Sequence, residues 1–340
     1  MKNSVTYGNM KYPELPVNLS SNEQVAAYGS DVMADLLSDM GFKHVFVLPG
    51  SSFRGLHDSL VNHHRNQNPE LIMGAHEAVV LAMAHGYAKA SGRTALAVVH
   101  DLVGLMCGTI SIYDIWCDRV PVMVLGGSGP HDPAQRRYID WVHTASMQSD
   151  LVKPFTKWTD EPLTLQSTVD SVLRANKISA SSPAGPTYVC IDLGVQEGGI
   201  PDDLKIPDAR LPRFQPAAAV VPNPDRLRDA VDKLARAELP LIVGGRLGRE
   251  TRSRAPLIEL AELTGAGCLD DRHIVAFPTA HPQNLNGDRE IQHEADVVLA
   301  IDCVDATQAY DGHDGAVRGR DGQCVIEMSM ENLQTTTWSN

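Results

Sequence analysis

The chain has 340 residues, 43% of them hydrophobic and 27 of them glycine, which is enough to bury two cores and makes two domains the length-based expectation. A formal net charge of -13, from 29 Lys and Arg against 42 Asp and Glu with no basic block, argues against a nucleic-acid partner. Met1 to Glu23 lacks a signal-peptide pattern, no apolar run is long enough for a bilayer, and the six cysteines never form CxxC. No membrane role, reduced thiols and a cytoplasmic location are therefore expected.

Val32, Met33, Leu36, Leu37 and Met40 fall on a helical spacing and predict a helix over 31–40, with Ser30 as its cap and Gly41 as its stop. A short apolar strand at 45–48 follows and ends at Pro49 and Gly50. The alternation continues with a helix near 53–62, a strand at 71–73, a helix at 77–89, a strand at 96–99, a helix at 103–116 and a strand at 122–125. The segment 150–157, a helical stretch at 165–175 and a strand at 187–191 complete this unit. Short apolar strands separated by helices indicate a mostly parallel sheet covered on both faces, an α/β fold.

The texture changes at 197–224, where prolines stand at 201, 207, 212, 216, 222 and 224. Proline removes backbone donors and restricts the residue before it, so this segment reads as an extended linker. Beyond it, a helix at 224–236, a strand at 239–243, a helix at 255–264 and strands at 297–301 and 324–326 form a second, smaller α/β domain. The expected division is an extension at 1–28, a first domain at 29–196, a linker at 197–224 and a second domain at 225–340. Glycines 244, 245 and 248 in IVGGRLGRE follow a strand and would let an anion approach helix N–H groups. The full GxGxxG fingerprint is missing, so a structural turn is the preferred reading.

Chemistry gathers at the strand ends of the first domain, because an open parallel sheet binds ligands beyond the carboxyl ends of its strands. VLPGSS brings Pro49, Gly50 and Ser51 there, GAHE brings His76 and Glu77, and VVHDLVG brings His100 and Asp101. Each has a plain structural alternative. Glu77 in a first helical turn favours the macrodipole, Ser51 can bond its own loop, and His76 can cap the helix. An imidazole such as His100 titrates near neutrality and suits proton transfer. Trp141 and His143, in IDWVHTASMQSD, border a pocket or simply pack, and HDPAQRR at 131–137 is a polar loop.

Taken together, VFVLPGSS, HEAVVLAMAHGYAKASG, VVHDLVGLMCGTISIYDIWCDRVPVMVLGG and KPFTKW resemble, in order and near spacing, the thiamine-diphosphate enzymes of the acetolactate synthase and benzoylformate decarboxylase group. LIVGGRLG, AHPQNLNGD and EADVVLAIDCVD resemble that group's central domain, and the likeness runs roughly from Gly29 to Trp338. The resemblance implies a pyrimidine-binding domain followed by a central domain. It also implies that Glu77 bonds N1′ of the aminopyrimidine of thiamine diphosphate, promoting the imino form that removes the thiazolium C2 proton. A shielded carboxylate makes a strong charge-assisted bond, which suits that relay.

The same resemblance places Pro49 and Gly50 against the cofactor and Ser51, His76, Asp101 and Trp141 on the substrate side. His100 matches the active-site histidine of benzoylformate decarboxylase-like members, whereas acetolactate synthases carry a Ser-Gly-Pro-Gly stretch there. Asp101 departs from the small residue of the family and is expected to disfavour an anionic 2-oxo acid and to raise the His100 pKa.

In the family the diphosphate and Mg²⁺ sit on a further domain with a Gly-Asp-Gly motif, and no convincing oxygen cradle for Mg²⁺ is legible in this chain. Residues 311–315 and 320–322, with their Asp-Gly pairs, read as turns. The third domain is expected either on a separate polypeptide or lost from a truncated chain, and the preferred expectation is a split enzyme in which this chain supplies Glu77 and His100 and no metal ligand. A second subunit would carry the diphosphate-binding domain and Mg²⁺, two such pairs forming a heterotetramer. The reaction implied is decarboxylation of a 2-oxo acid or carboligation to a carbonyl acceptor. The alternatives are a non-catalytic or regulatory homologue, an FAD- or nucleotide-binding protein with flavin the lesser expectation, and a weaker NAD-dependent oxidoreductase.

Overall fold

The computed structural model describes residues 6–7, 10–11, 25–271, 275–288, 290–303 and 322–330. Two compact units divide the chain, Met1–Ala219 and Val220–Asn340. The first begins with a two-residue antiparallel pair, β1 (Thr6–Tyr7) and β2 (Met10–Lys11). Its main body runs α1 (Gly29–Asp39), β3 (His44–Val47), α2 (Arg54–Asp58) with a π-helical turn over Ser59–His63, and β4 (Glu70–Met73). It continues with α3 (Glu77–Ser91), β5 (Ala95–Val99), α4 (Leu102–Asp118), β6 (Val122–Ser128) and α5 (Tyr138–His143). It closes with β7 (Trp158–Asp160), α6 (Leu165–Ala180), β8 (Thr187–Asp192) and α7 (Leu193–Glu197).

The sheet order is β4-β3-β5-β6-β8-β7, with every pairing parallel. The solid apolar run of β5 is explained by its complete burial, since helices cover both faces. Period-two alternation persists inside it. Leu96 and Val98 face one core with Val32, Leu36, Val169 and Val172 from α1 and α6. Ala97 and Val99 face another with Val80, Leu81, Leu105 and Ile112 from α3 and α4. The first two strands, β3 and β4, are neighbours, and β5 then joins the opposite side of β3. That reversal is a topological switch point, and it opens a crevice beyond the carboxyl ends of β3 and β5.

The short elements α5, α7 and β7, of six, five and three residues, lie outside the periodic expectation because none completes enough turns or alternations to show a period. Residues expected in the linker are largely part of the first unit. Ala209 is buried in its core, and Ile200, Leu204 and Phe214 pack against it.

The second unit contains α8 (Pro224–Arg236), β9 (Pro240–Gly244), α9 (Arg254–Thr264), β10 (Gly267–Asp270), α10 (Ile291–Glu294), β11 (Val297–Ile301) and β12 (Cys324–Met328). Its parallel sheet has the order β10-β9-β11-β12. The glycines after β9 answer to packing: a Cβ at Gly245 would lie 2.1 Å from the Asp302 carbonyl oxygen, and one at Gly244 would lie 2.7 Å from Ala276 Cβ. The turns expected at 311–315 and 320–321 lie outside the described residues, as does most of the 1–28 extension. No helix among the described residues is long and apolar enough to cross a membrane.

Candidate active site at the switch point

The loop after β3 places Pro49 exposed and Gly50 half-buried, and the next two serines diverge. Ser51, the expected substrate contact, is exposed, while Ser52 is turned inward and buried. Ser52 Oγ lies 2.8 Å from His100 Nδ1 and accepts the Asp101 backbone N–H at 3.0 Å. Its carbonyl accepts from Gln196 Nε2 at 2.9 Å, so a fully buried residue of α7 pins the loop from below. Glycines supply the room: a Cβ at Gly127 of β6 would sit 2.3 Å from Ser52 Oγ, and one at Gly50 would sit 2.6 Å from His100 Cγ. The serine turned inward toward His100 is thus Ser52, beside the Ser51 expected at the substrate. The only signal was the neighbouring pair itself, and a side chain's inward turn depends on partners far along the chain.

His100 follows β5 and is half-buried. The Ser52 bond fixes its ring rotation and leaves Nε2 as the proton-exchanging atom. Burial pushes its pKa below the ordinary histidine value, His143 lowers it further, and the Glu77 carboxylate opposes both. The expectation that Asp101 would raise His100 is therefore corrected, because burial and a second imidazole dominate. Asp101 serves instead as the N-cap of α4, accepting from Leu102 N at 2.6 Å and from Thr144 Oγ1 at 3.2 Å. Burial raises its carboxyl pKa to about 6 against the lowering effect of those two bonds and of His143.

Glu77 is the first residue of α3, buried at 7% exposure, and its carboxylate makes no hydrogen bond among the described residues. A Cβ at Gly104 of α4 would lie 2.8 Å from Glu77 Oε1 and 2.8 Å from His100 Cβ, while one at Gly108 would lie 2.5 Å from Leu81 Cδ1. Two glycines four apart thus let α4 approach α3, with Gly104 lying directly against the carboxylate. That spacing was visible in GLMCG, though sequence reading passed over it. His76 caps α3 through Nδ1, which accepts from Ala78 N at 3.1 Å. The exposed Cys107 also belongs to this corner, since one ligand atom each from His76, Glu77 and Cys107 lies within 4.8 Å of the others. A second such group, Asp35, His63 and His64, lies on α1 and the π-helical turn, where one Asp35 oxygen meets His63 Nε2 at 2.9 Å and His64 Nε2 at 2.7 Å.

α5 brings in the last members. Trp141 is 56% exposed, with the Arg136 guanidinium 4.8 Å from its ring centre, so its expected place at the substrate has only this surface stacking to show. His143 stands edge-on to His100, with ring centres 5.4 Å apart. The structure therefore gathers Gly50, Glu77, His100 and Asp101, adds Ser52, Gly104 and His143, and leaves Pro49, Ser51 and Trp141 exposed.

The chain is similar to known proteins over much of its length. Residues 15–150 match the family described as thiamine pyrophosphate enzyme, N-terminal TPP binding domain. The chain is 27% identical over 242 residues to benzoylformate decarboxylase of Pseudomonas aeruginosa, covering 68% of this chain and 44% of that protein. It is 24% identical over 286 residues to acetolactate synthase of Bacillus subtilis, covering 80% and 47%. The crystal structure of benzoylformate decarboxylase from Polynucleobacter necessarius superposes with a TM-score of 0.74 at 17% identity, over 91% of this chain and 57% of that one. The chain thus spans about half the length of the curated relatives it matches.

Proposed function

From the premise that this chain is related, over its N-terminal region, to the thiamine-diphosphate enzymes of the acetolactate synthase and benzoylformate decarboxylase group, we propose that its first unit is the pyrimidine-side half of a decarboxylase or carboligase acting on a 2-oxo acid. The observation that carries this reading is Glu77: a buried carboxylate at the head of α3, without a hydrogen bond from the described residues, against which α4 packs through Gly104, whose lack of a side chain makes room for it.

The residues present fit the pyrimidine end of thiamine diphosphate, with Glu77 offering its carboxylate to N1′ and the 49–50 loop lying at the neighbouring strand end. Bound there, the cofactor supplies the carbon nucleophile and the electron sink for breaking the bond to CO₂. Glu77 holds a charge-assisted bond in a site sheltered from water, where such bonds are strongest. His100, oriented by Ser52, exchanges a proton with the substrate oxygen through Nε2. Its place favours protonation to an aldehyde, and addition to a second carbonyl is the carboligase outcome of the same first half.

We assign the diphosphate and Mg²⁺ to a second polypeptide, with two such pairs forming a heterotetramer. Support comes from an apolar stripe beside the site: Val103, Met106, Ile110 and Tyr113 of α4 are 40, 59, 61 and 48% exposed, and Val79 of α3 is 49% exposed. A stripe of that size on a helix pair fits burial against another chain better than permanent hydration. The test is turnover of 2-oxo acids by the native complex with thiamine diphosphate and Mg²⁺, using wild type and Glu77→Gln. Loss of roughly 100-fold to 10,000-fold with an unchanged circular-dichroism spectrum is expected, the range for general acid–base groups. Equal turnover removes Glu77 from its role, and a purified complex with no second chain removes the split arrangement.

A further inference from the structure

We infer that His143 is a second proton-handling residue of this site, paired with His100 and holding its Nδ1 for an oxygen of the substrate; the inference rests on the 2-oxo acid reading above. His143 Nδ1 is buried and has no hydrogen-bond partner among the described residues. A buried ring nitrogen left unpaired is uncommon, because protein polar atoms removed from water are nearly always bonded, and a catalytic role is one of the reasons such an exception persists.

The placement of this ring is enforced by its neighbours. Thr144, the next residue, accepts the Gly129 N–H at 2.8 Å and donates to Asp101 at 3.2 Å, tying the end of α5 to the start of α4. Arg137 grips Asp140 with two bonds, Nε at 3.1 Å and Nη2 at 2.9 Å, which closes the first turn of α5. A Cβ at Gly129 would lie 2.7 Å from Asp140 Cβ, so α5 sits directly on the end of β6. His143, the last residue of α5, therefore stands against His100 beyond the end of β6, the strand that neighbours β5 in the sheet.

A positive charge on one imidazole at this separation opposes a positive charge on the other, and His143 accordingly lowers the His100 pKa. The charged groups acting on the pair are Glu77 from α3, on His100, and Asp101 at the head of α4, on His143, while Asp140 within α5 acts on Asp101. A substrate carbonyl oxygen gains a proton when its carbon is attacked and returns it when the aldehyde leaves, while the proton that replaces CO₂ on that carbon is drawn from solvent, so each turnover of a 2-oxo acid anion to an aldehyde consumes one proton. With His100 tethered through Nδ1 to Ser52, its Nε2 and the free Nδ1 of His143 are two exchange points, one able to hold the proton while the other contacts the oxygen.

The experiment is a pH titration of the imidazole resonances in the full chain, by nuclear magnetic resonance, in wild type and His143→Phe, which keeps the edge-on ring contact. His100 in the variant is expected to titrate at higher pH, because the opposing imidazole is gone. In the assembled enzyme, kcat is expected to fall at least roughly 100-fold, with the acid limb of the pH–rate profile displaced upward and partial recovery in His143→Asn. An unmoved His100 titration, or an unmoved pH–rate profile, overturns the pairing. Glu77→Gln separates the two readings: it should stop turnover while leaving the His100–His143 coupling intact, so turnover that survives in Glu77→Gln counts against the functional reading, and a His100 titration that does not move in His143→Phe counts against His143.

Discussion

Asp101 meets two opposed demands at a single position. It caps α4, which favours a carboxylate at the positive helix end, and it is buried, which raises its pKa to about 6. A carboxyl that binds its proton more tightly folded than unfolded contributes stability that is complete below its unfolded value of 3.8 and is lost as pH rises through about 6. Asp101→Asn keeps a capping oxygen and removes the charge. It should match wild type near pH 4 and exceed it near pH 7 by about 1–2 kcal/mol, two pKa units discounted for solvent screening, in urea denaturation at both pH values. A variant weaker at pH 7 would show that the charge itself holds α4. At this scale the residue types of the site were legible, since GAHE and VVHD announce an acid and an imidazole at strand ends. The inward turn of Ser52 was not, because it depends on Gly127 and Gln196, which are distant in the chain.

Helices α3 and α4 meet through glycine, and the two kinds of glycine they contain should behave oppositely. Gly104 faces Glu77 and His100, whereas a Cβ added at Gly86 of α3 meets nothing within 4 Å. Gly104→Ala should drive Glu77 and His100 apart and lower cofactor-dependent turnover at least roughly tenfold, a loss of about 1.4 kcal/mol in transition-state stabilisation. Gly86→Ala should leave turnover unchanged and stabilise the chain by about 0.4–1 kcal/mol through the unfolded state, measured by thermal unfolding. Turnover equal in both variants would mean that the α3–α4 contact does not shape the site. The long elements were readable from their periods: α1, α3, α4 and α6 each carry a buried stripe through several turns. The short elements α5 and β7 were not readable, and α5 is the one that delivers His143.

For the whole molecule, assembly is the open property, and the exposed stripe on α4 is its lever. Ile110, 61% exposed in the chain by itself, should become buried when the proposed second polypeptide binds. Ile110→Lys is expected to leave the isolated chain folded and to shift the native mass from complex to single chain, because burying an unpaired ammonium opposes association. A complex of unchanged mass and affinity would place the interface elsewhere.

What the sequence by itself determined was the alternation of short apolar strands with helices, hence a parallel α/β architecture, and the chemical character of three strand-end loops. Those features are local: a helical or strand period, a glycine turn and a helix cap are all decided by residues within a few positions of one another. Only the tertiary structure decided the strand order that puts the switch point between β3 and β5, the choice of Ser52 over Ser51, and the meeting of His100 with His143. Each joins segments distant in the chain, and the last two rest on close packing at glycines, Gly127 under Ser52 and Gly129 under α5, which no period in the chain encodes.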